Sequence, residues 1–121
     1  MNNPIKSELM VDQQRQVLCQ VNDLVAQSGV AVFCAGEQIA LFYLPGGDPE
    51  IYAVSNYDPI GKANVLSRGI IGDIAGEPVV ASPLYKQHFS LRTGVCIENP
   101  DVAIKVYTVV LEAGSIALEL D

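Results

Sequence analysis

The sequence is 121 residues long, 50% apolar and 17% charged, which is enough for one ordinary hydrophobic core and excludes a disordered chain. Its 14 acids against 7 basic residues leave a net charge of −7, which repels phosphate backbones and anionic lipid surfaces. No cluster of bases offsets that charge, so no nucleic acid and no membrane is expected as a partner.

A single domain over 1–121 is therefore expected, with 1–14 as a loosely ordered N-terminal extension. The opening "MNNPIKSELMVDQQRQ" lacks the basic-then-apolar order of a secretory leader. No apolar stretch approaches the ~20 residues that a spanning helix needs. A cytoplasmic protein is expected. Cys19, Cys34 and Cys96 are an odd, widely spaced set without a C-x-x-C pair, which suits reduced thiols serving as small apolar residues in or beside strands.

Short runs rich in Val, Ile, Tyr and Phe recur between Gly, Pro, Asn and Asp, the pattern of an antiparallel β-sandwich or barrel. In chain order the predicted strands are 16–21, 30–35, 38–44, 51–55, 78–82, 88–91, 103–107, 109–113 and 115–120. "PGGDPE" reads as the hairpin loop between 38–44 and 51–55, and "EAGS" as the turn of a last hairpin. Gly94 in "RTG" supplies the left-handed residue that reverses the chain after 88–91. From Asn56 to Glu77 the chain reads as one long irregular excursion, with a turn of helix or a short strand somewhere in "KANVLSRGII". Segments of that length are usually functional. Its glycines, Gly61, Gly69, Gly72 and Gly76, lack phosphate-loop spacing and are expected to act as backbone hinges.

Two loops stand out together, "SNYDP" after the strand at 51–55 and "SPLYKQHFSLRTG" after the strand at 78–82. Their rhythm resembles a Rieske iron–sulfur domain, in which C-x-H on one loop and C-x-x-H on the other hold a [2Fe–2S] cluster. Carried across, those ligand positions fall on Asn56, Asp58, Ser82 and Tyr85. A cluster needs two thiolates and two imidazoles, and none of the four residues supplies one. As an oxygen set they carry one formal charge, too little for an ordinary hard-cation site.

"YAVSNYDP", "NVLSRGIIG" and "VVASPLYKQHFSLRTGVC", in that order, resemble the small-subunit family of cytoplasmic NADH-dependent nitrite reductases, a cluster-free branch of the Rieske-like proteins. The resemblance covers roughly residues 30–120 and includes the missing ligands. It implies an all-β Rieske-like fold with a protruding two-loop subdomain. It also implies an accessory role beside a large catalytic subunit that carries FAD, an iron–sulfur cluster and siroheme and reduces nitrite to ammonium, in assimilation or detoxification. No cofactor, no [2Fe–2S] cluster and no catalytic residue is then expected on this chain.

Individual residues are read on the same terms. Asp58 precedes Pro59, so a solvated turn carboxylate is expected. Tyr57 and Tyr85 are candidates either for partner docking or for packing over the space of the absent cluster. Arg68 and Lys86, on the two suspect regions of a base-poor chain, are candidate docking charges. His88 has no nucleophile placed to make a dyad and is expected to be structural. The alternative class is a stand-alone Rieske-like β-domain binding a small ligand or regulatory partner; an independent enzyme finds no support, because no nucleophile–base pair, metal set or cofactor fingerprint is present.

Overall fold

The segment Glu37–Tyr43, EQIALFY, shows how the molecule is built, for Ile39 to Phe42 are four consecutive buried residues in one strand. Successive strand side chains point to opposite faces, so an unbroken apolar run marks a strand covered on both sides. In the computed structural model, which describes residues 15–119, this strand is β3 of a central four-stranded sheet ordered β10-β4-β3-β2. The partners are β2 (Ser28–Cys34), β4 (Ile51–Ser55) and β10 (Val106–Tyr107).

Ile39, Leu41, Ile51 and Ala53 face Ile116 and Leu118 of a second sheet, β1-β12-β11, made of Arg15–Gln20, Ser115–Glu119 and Val109–Glu112. The alternate residues Ala40, Phe42, Tyr52 and Val54 face the opposite way and pack with Val80, Phe89, Leu91 and Cys96. Val80 and Phe89 belong to a third sheet, β7-β8-β9, of Ile70–Ile74, Glu77–Ala81 and His88–Ser90. The short pair β5 (Tyr57–Asp58) and β6 (Ala63–Asn64) completes the strands, and every pairing between named strands is antiparallel.

The expected all-β architecture and the predicted strands are present within a residue or two at most ends. The 103–107 run is the exception: its strand is confined to Val106–Tyr107, with Ala103 making an isolated bridge to Val95. The proposed 1–14 extension lies outside the described residues. "PGGDPE" does join β3 to β4, "EAGS" closes β11 on β12, and Gly94 has φ +80 with Ile104 O too close for any Cβ.

The reading of 56–77 as irregular needs correction. It contains β5, β6, a 3₁₀ turn at Leu66–Arg68 and all of β7, which pairs with β8 from Ile70↔Ala81 to Ile74↔Glu77. The β7–β8 turn is Ala75-Gly76, both residues at positive φ, as they are in Ala35-Gly36 and Ala113-Gly114. Two such residues make the tight turn that matches the twist of a hairpin. Nor are Gly61 and Gly69 hinges. A Cβ at Gly61 would strike Leu84, and one at Gly69 would strike Ala81 O and Val80, so both are points of close approach.

Phe42 is fully buried between the central and third sheets, with its ring against Gly29. Phe42→Ala is expected to lower unfolding free energy by about 3–5 kcal/mol, read as a fall in the urea midpoint.

Candidate functional site

The central sheet delivers loop 1 at the end of β4, and the third sheet delivers loop 2 at the end of β8. Asn56, Asp58 and Ser82 are buried, whereas Tyr85 is 64% exposed. Asn56 turns inward: its Nδ2 donates to Gln38 Oε1 (2.9 Å), and its Oδ1 accepts from the backbone N–H of Ser67 (2.7 Å). It thereby fastens loop 1 to β3 on one side and to the 3₁₀ turn on the other.

Asp58 is the largest departure from expectation. Instead of a solvated turn carboxylate it is 0% exposed. Its Oδ1 accepts from the N–H groups of Ile60 (2.8 Å) and Gly61 (3.0 Å), the local turn that Asp-Pro foretold. Its Oδ2 crosses to loop 2 and accepts the hydroxyl of Ser82 at 2.5 Å, a partner 24 residues away. Ser82 Oγ in turn accepts from Leu84 N–H (3.2 Å), and Lys86 N–H donates to Ser82 O (3.1 Å). A hydrogen bond to a carboxyl group inside the protein is not weakened by competing water.

Tyr57 (43% exposed) and Tyr85 present their rings to solvent, so they are not packed away in the space between the loops. Leu84 (44%) and Ile70 (72%) add aliphatic surface to the same end. Arg68 and Lys86 are exposed as expected, and Lys62, which the sequence reading passed over, is exposed beside them. A concavity of ≈ 450 Å³ lies beside loop 1, between Phe33, Tyr57 and Tyr107, rather than between the two loops. At its margin Tyr107 donates to Glu37, and burial together with that carboxylate raises the phenol pKa far above its ordinary value.

His88 has a structural partner, as expected. Its backbone N–H and ring Nδ1 both meet the carboxylate of Glu98, at 2.8 and 2.5 Å. Burial works to raise the Glu98 pKa, but these hydrogen bonds outweigh it and hold the pKa below the usual value.

The four ligand-equivalent positions do not fit a [2Fe–2S] cluster. No thiolate or imidazole is among them, two of them are bonded to each other, and Tyr85 points out. Cys19 lies in β1, Cys34 ends β2 and Cys96 is buried beside β9, all free thiols at strands as expected and none on either loop. Among the described residues no group of three or more His, Cys, Asp or Glu is placed to hold a metal ion. No helix of the described chain is long and apolar enough to cross a membrane.

Residues 14–119 match the model of the Rieske-like [2Fe–2S] domain family. The nitrite reductase (NADH) small subunit of Salmonella typhimurium is 40% identical over 105 residues, covering 87% of this chain and 96% of that protein. The chain belongs to the nitrite reductase small-subunit family of Rieske-like domains. The NMR structure of the Escherichia coli protein NirD superposes with a TM-score of 0.76 at 37% identity, covering 86% of this chain and 96% of that one. This Rieske-like chain also matches the nitrite reductase [NAD(P)H] large subunit of Klebsiella oxytoca, at 41% identity over 101 residues. There 84% of the chain corresponds to 10% of the larger polypeptide.

Asp58→Ala strips the acceptor from two part-buried N–H groups and the Ser82 hydroxyl, whereas Ser82→Ala orphans one carboxylate oxygen. Ser82→Ala is expected to cost about 1–3 kcal/mol and Asp58→Ala more, with Tyr85→Ser within about 0.5 kcal/mol of the parent, all by urea unfolding. The lowered Glu98 pKa gives a stabilising increment that is present above its unfolded value of 4.5 and fades as pH falls through the folded value. His88→Ala should remove the ring's share of that part of the acid limb of a stability–pH curve, while the backbone N–H of residue 88 keeps the rest. The effect is small, because Glu98 is 45% exposed.

Proposed function

We propose that this chain is a cluster-free accessory subunit of an NAD(P)H-dependent nitrite reductase, docking on a large catalytic subunit in the cytoplasm. The observation that carries the reading is the near full-length match to small subunits by a chain whose ligand positions are occupied by a closed hydrogen-bonded set, Asn56, Asp58 and Ser82. The match to a segment of one large subunit supports a working association between the two parts, since domains fused in one protein and separate in another commonly act side by side.

On this reading the chemistry belongs to the partner. FAD, an iron–sulfur cluster and siroheme on the large subunit carry electrons from NADH to nitrite and release ammonium. The present chain contributes shape, charge and rigidity, acting as one domain, and transfers no electron through a group of its own. Neither thiolate nor imidazole is available between its loops to hold iron, and the only carboxylate there is already engaged.

The test is NADH-dependent nitrite reduction by purified large subunit, with and without this chain, alongside co-elution on a sizing column and iron analysis of the isolated chain. A gain in rate with co-elution and substoichiometric iron is expected. No binding and no gain would reduce the family relation to shared fold, and stoichiometric iron with visible absorption bands would overturn the cluster-free part.

A further inference from the structure

Six of the chain's basic residues fall within the described region, and they divide sharply. Arg15 pairs with Glu112 and Glu119, Arg92 with Glu77, and Lys105 with Glu37. Lys62, Arg68 and Lys86 have no acid within 4.0 Å among the described residues, and all three are exposed.

These three belong to one end of the molecule. Lys62 N–H donates to Asp58 O (2.6 Å) and Lys86 N–H to Ser82 O (3.1 Å), so each is anchored to one partner of the inter-loop hydrogen bond. Arg68 follows Ser67, whose N–H is held by Asn56 Oδ1, and precedes Gly69, which abuts Ala81 at the start of loop 2. Of the acids at this end, Asp58 is buried, Glu37 holds Tyr107 and Lys105, and Glu98 holds His88, while Asp101, at the tip of the hairpin that follows β9, is exposed. Asp48, Glu50, Asp73 and Glu77 lie at the opposite ends of the same strands, around the β3–β4 and β7–β8 turns. A chain of net charge −7 thus presents the unpaired cations of its described residues on one face.

A second observation is the exposed apolar and aromatic surface at that end. Between the cations, Tyr57, Leu84, Tyr85 and Ile70 are 43 to 72% exposed. Tyrosine and apolar surface ringed by charge is the composition of a protein–protein contact, and three cations on so acidic a chain are too few to hold a polyanionic backbone.

We propose that this two-loop end is the docking face for an acidic protein surface, that of the large subunit, with Tyr57 and Tyr85 as central anchors and Lys62, Arg68 and Lys86 as the complementary rim. This rests on the reading of the chain as an accessory subunit. The hydrogen bond between the loops holds both halves of the face in one geometry before the partner arrives, which lowers the ordering cost of association.

The experiment measures binding of the full chain to purified large subunit at low and at physiological salt. The set is the parent, the triple variant Lys62→Glu, Arg68→Glu, Lys86→Glu, the double variant Tyr57→Ser, Tyr85→Ser, and Arg92→Glu as a charge reversal at the far end. Unchanged melting temperatures establish that each is folded. Parent affinity should fall with salt; the triple variant should bind about tenfold or more weakly, chiefly through a slower on-rate, the tyrosine pair should dissociate faster, and Arg92→Glu should stay within about twofold. Parent-like binding by the triple variant at low salt, or an equal loss in Arg92→Glu, overturns the face while leaving the subunit reading intact. Failure of the parent itself to bind sinks both. Binding of duplex DNA at physiological salt, abolished in the triple variant, would assign the face to nucleic acid instead.

Discussion

A carboxylate closed off from water has to be satisfied where it lies, and at Asp58 that requirement organises the whole loop end. With no cation against it, the carboxylate relies on the N–H groups of Ile60 and Gly61 and on the hydroxyl of Ser82. The first two donors lie in loop 1 itself, and the third reaches Asp58 only with loop 2 held against it. The same approach brings Gly61 against Leu84 and leaves no room for a side chain at residue 61. In a cluster-bearing Rieske domain the two loops are joined through iron; here they are joined by an O–H···O bond between two of the equivalent positions, while a third, Asn56, is retied to Gln38 and Ser67. A hydrogen bond between two ligand-equivalent positions thus spans the two loops of a Rieske-like frame.

That bond is effective because both of its supports are stiff. Loop 1 leaves β4, which is covered on both faces by the two apolar clusters, and loop 2 leaves β8, whose Val79 and Val80 are buried. Close-packed strands do not yield to small forces at their ends. The loop tips are therefore held by the core at their bases and by Asp58 and Ser82 at their middle. The backbone that carries their exposed residues, Tyr57, Leu84, Tyr85, Lys62 and Lys86, is held in one arrangement.

Most of the strands were legible because short runs rich in Val, Ile, Tyr and Phe stand between turn residues. Ile39 to Phe42 and Ile51 to Val54 could hardly be anything else, and "PGGDPE" and "EAGS" fixed the hairpins around them. Strand β7 went unrecognised although "IAGE" carries the same Ala-Gly turn as "CAGE" and "EAGS". Its own residues, Ile-Ile-Gly-Asp-Ile, are mostly exposed and so lack a clean alternation, and the turn signal alone would have found it. Asp58 was misjudged because Asp-Pro is a local signal. The local half was right, since Oδ1 does accept from Ile60 and Gly61, but the half that buries the group is a contact with Ser82, 24 residues on.

By itself the sequence determined the class of fold, most of the strands along the chain and the absence of sulfur or imidazole at the four positions that the family resemblance singles out, because each of these can be read from residue types at short spacing. It could not determine which of those positions would meet, which would face water, or that Lys62, Arg68 and Lys86 would share an end while every other described base found an acid. Those outcomes depend on how distant strands pack. Pairing energies at 10 to 25 residues' separation are decided by the core that brings the partners together, and only the folded molecule contains that information.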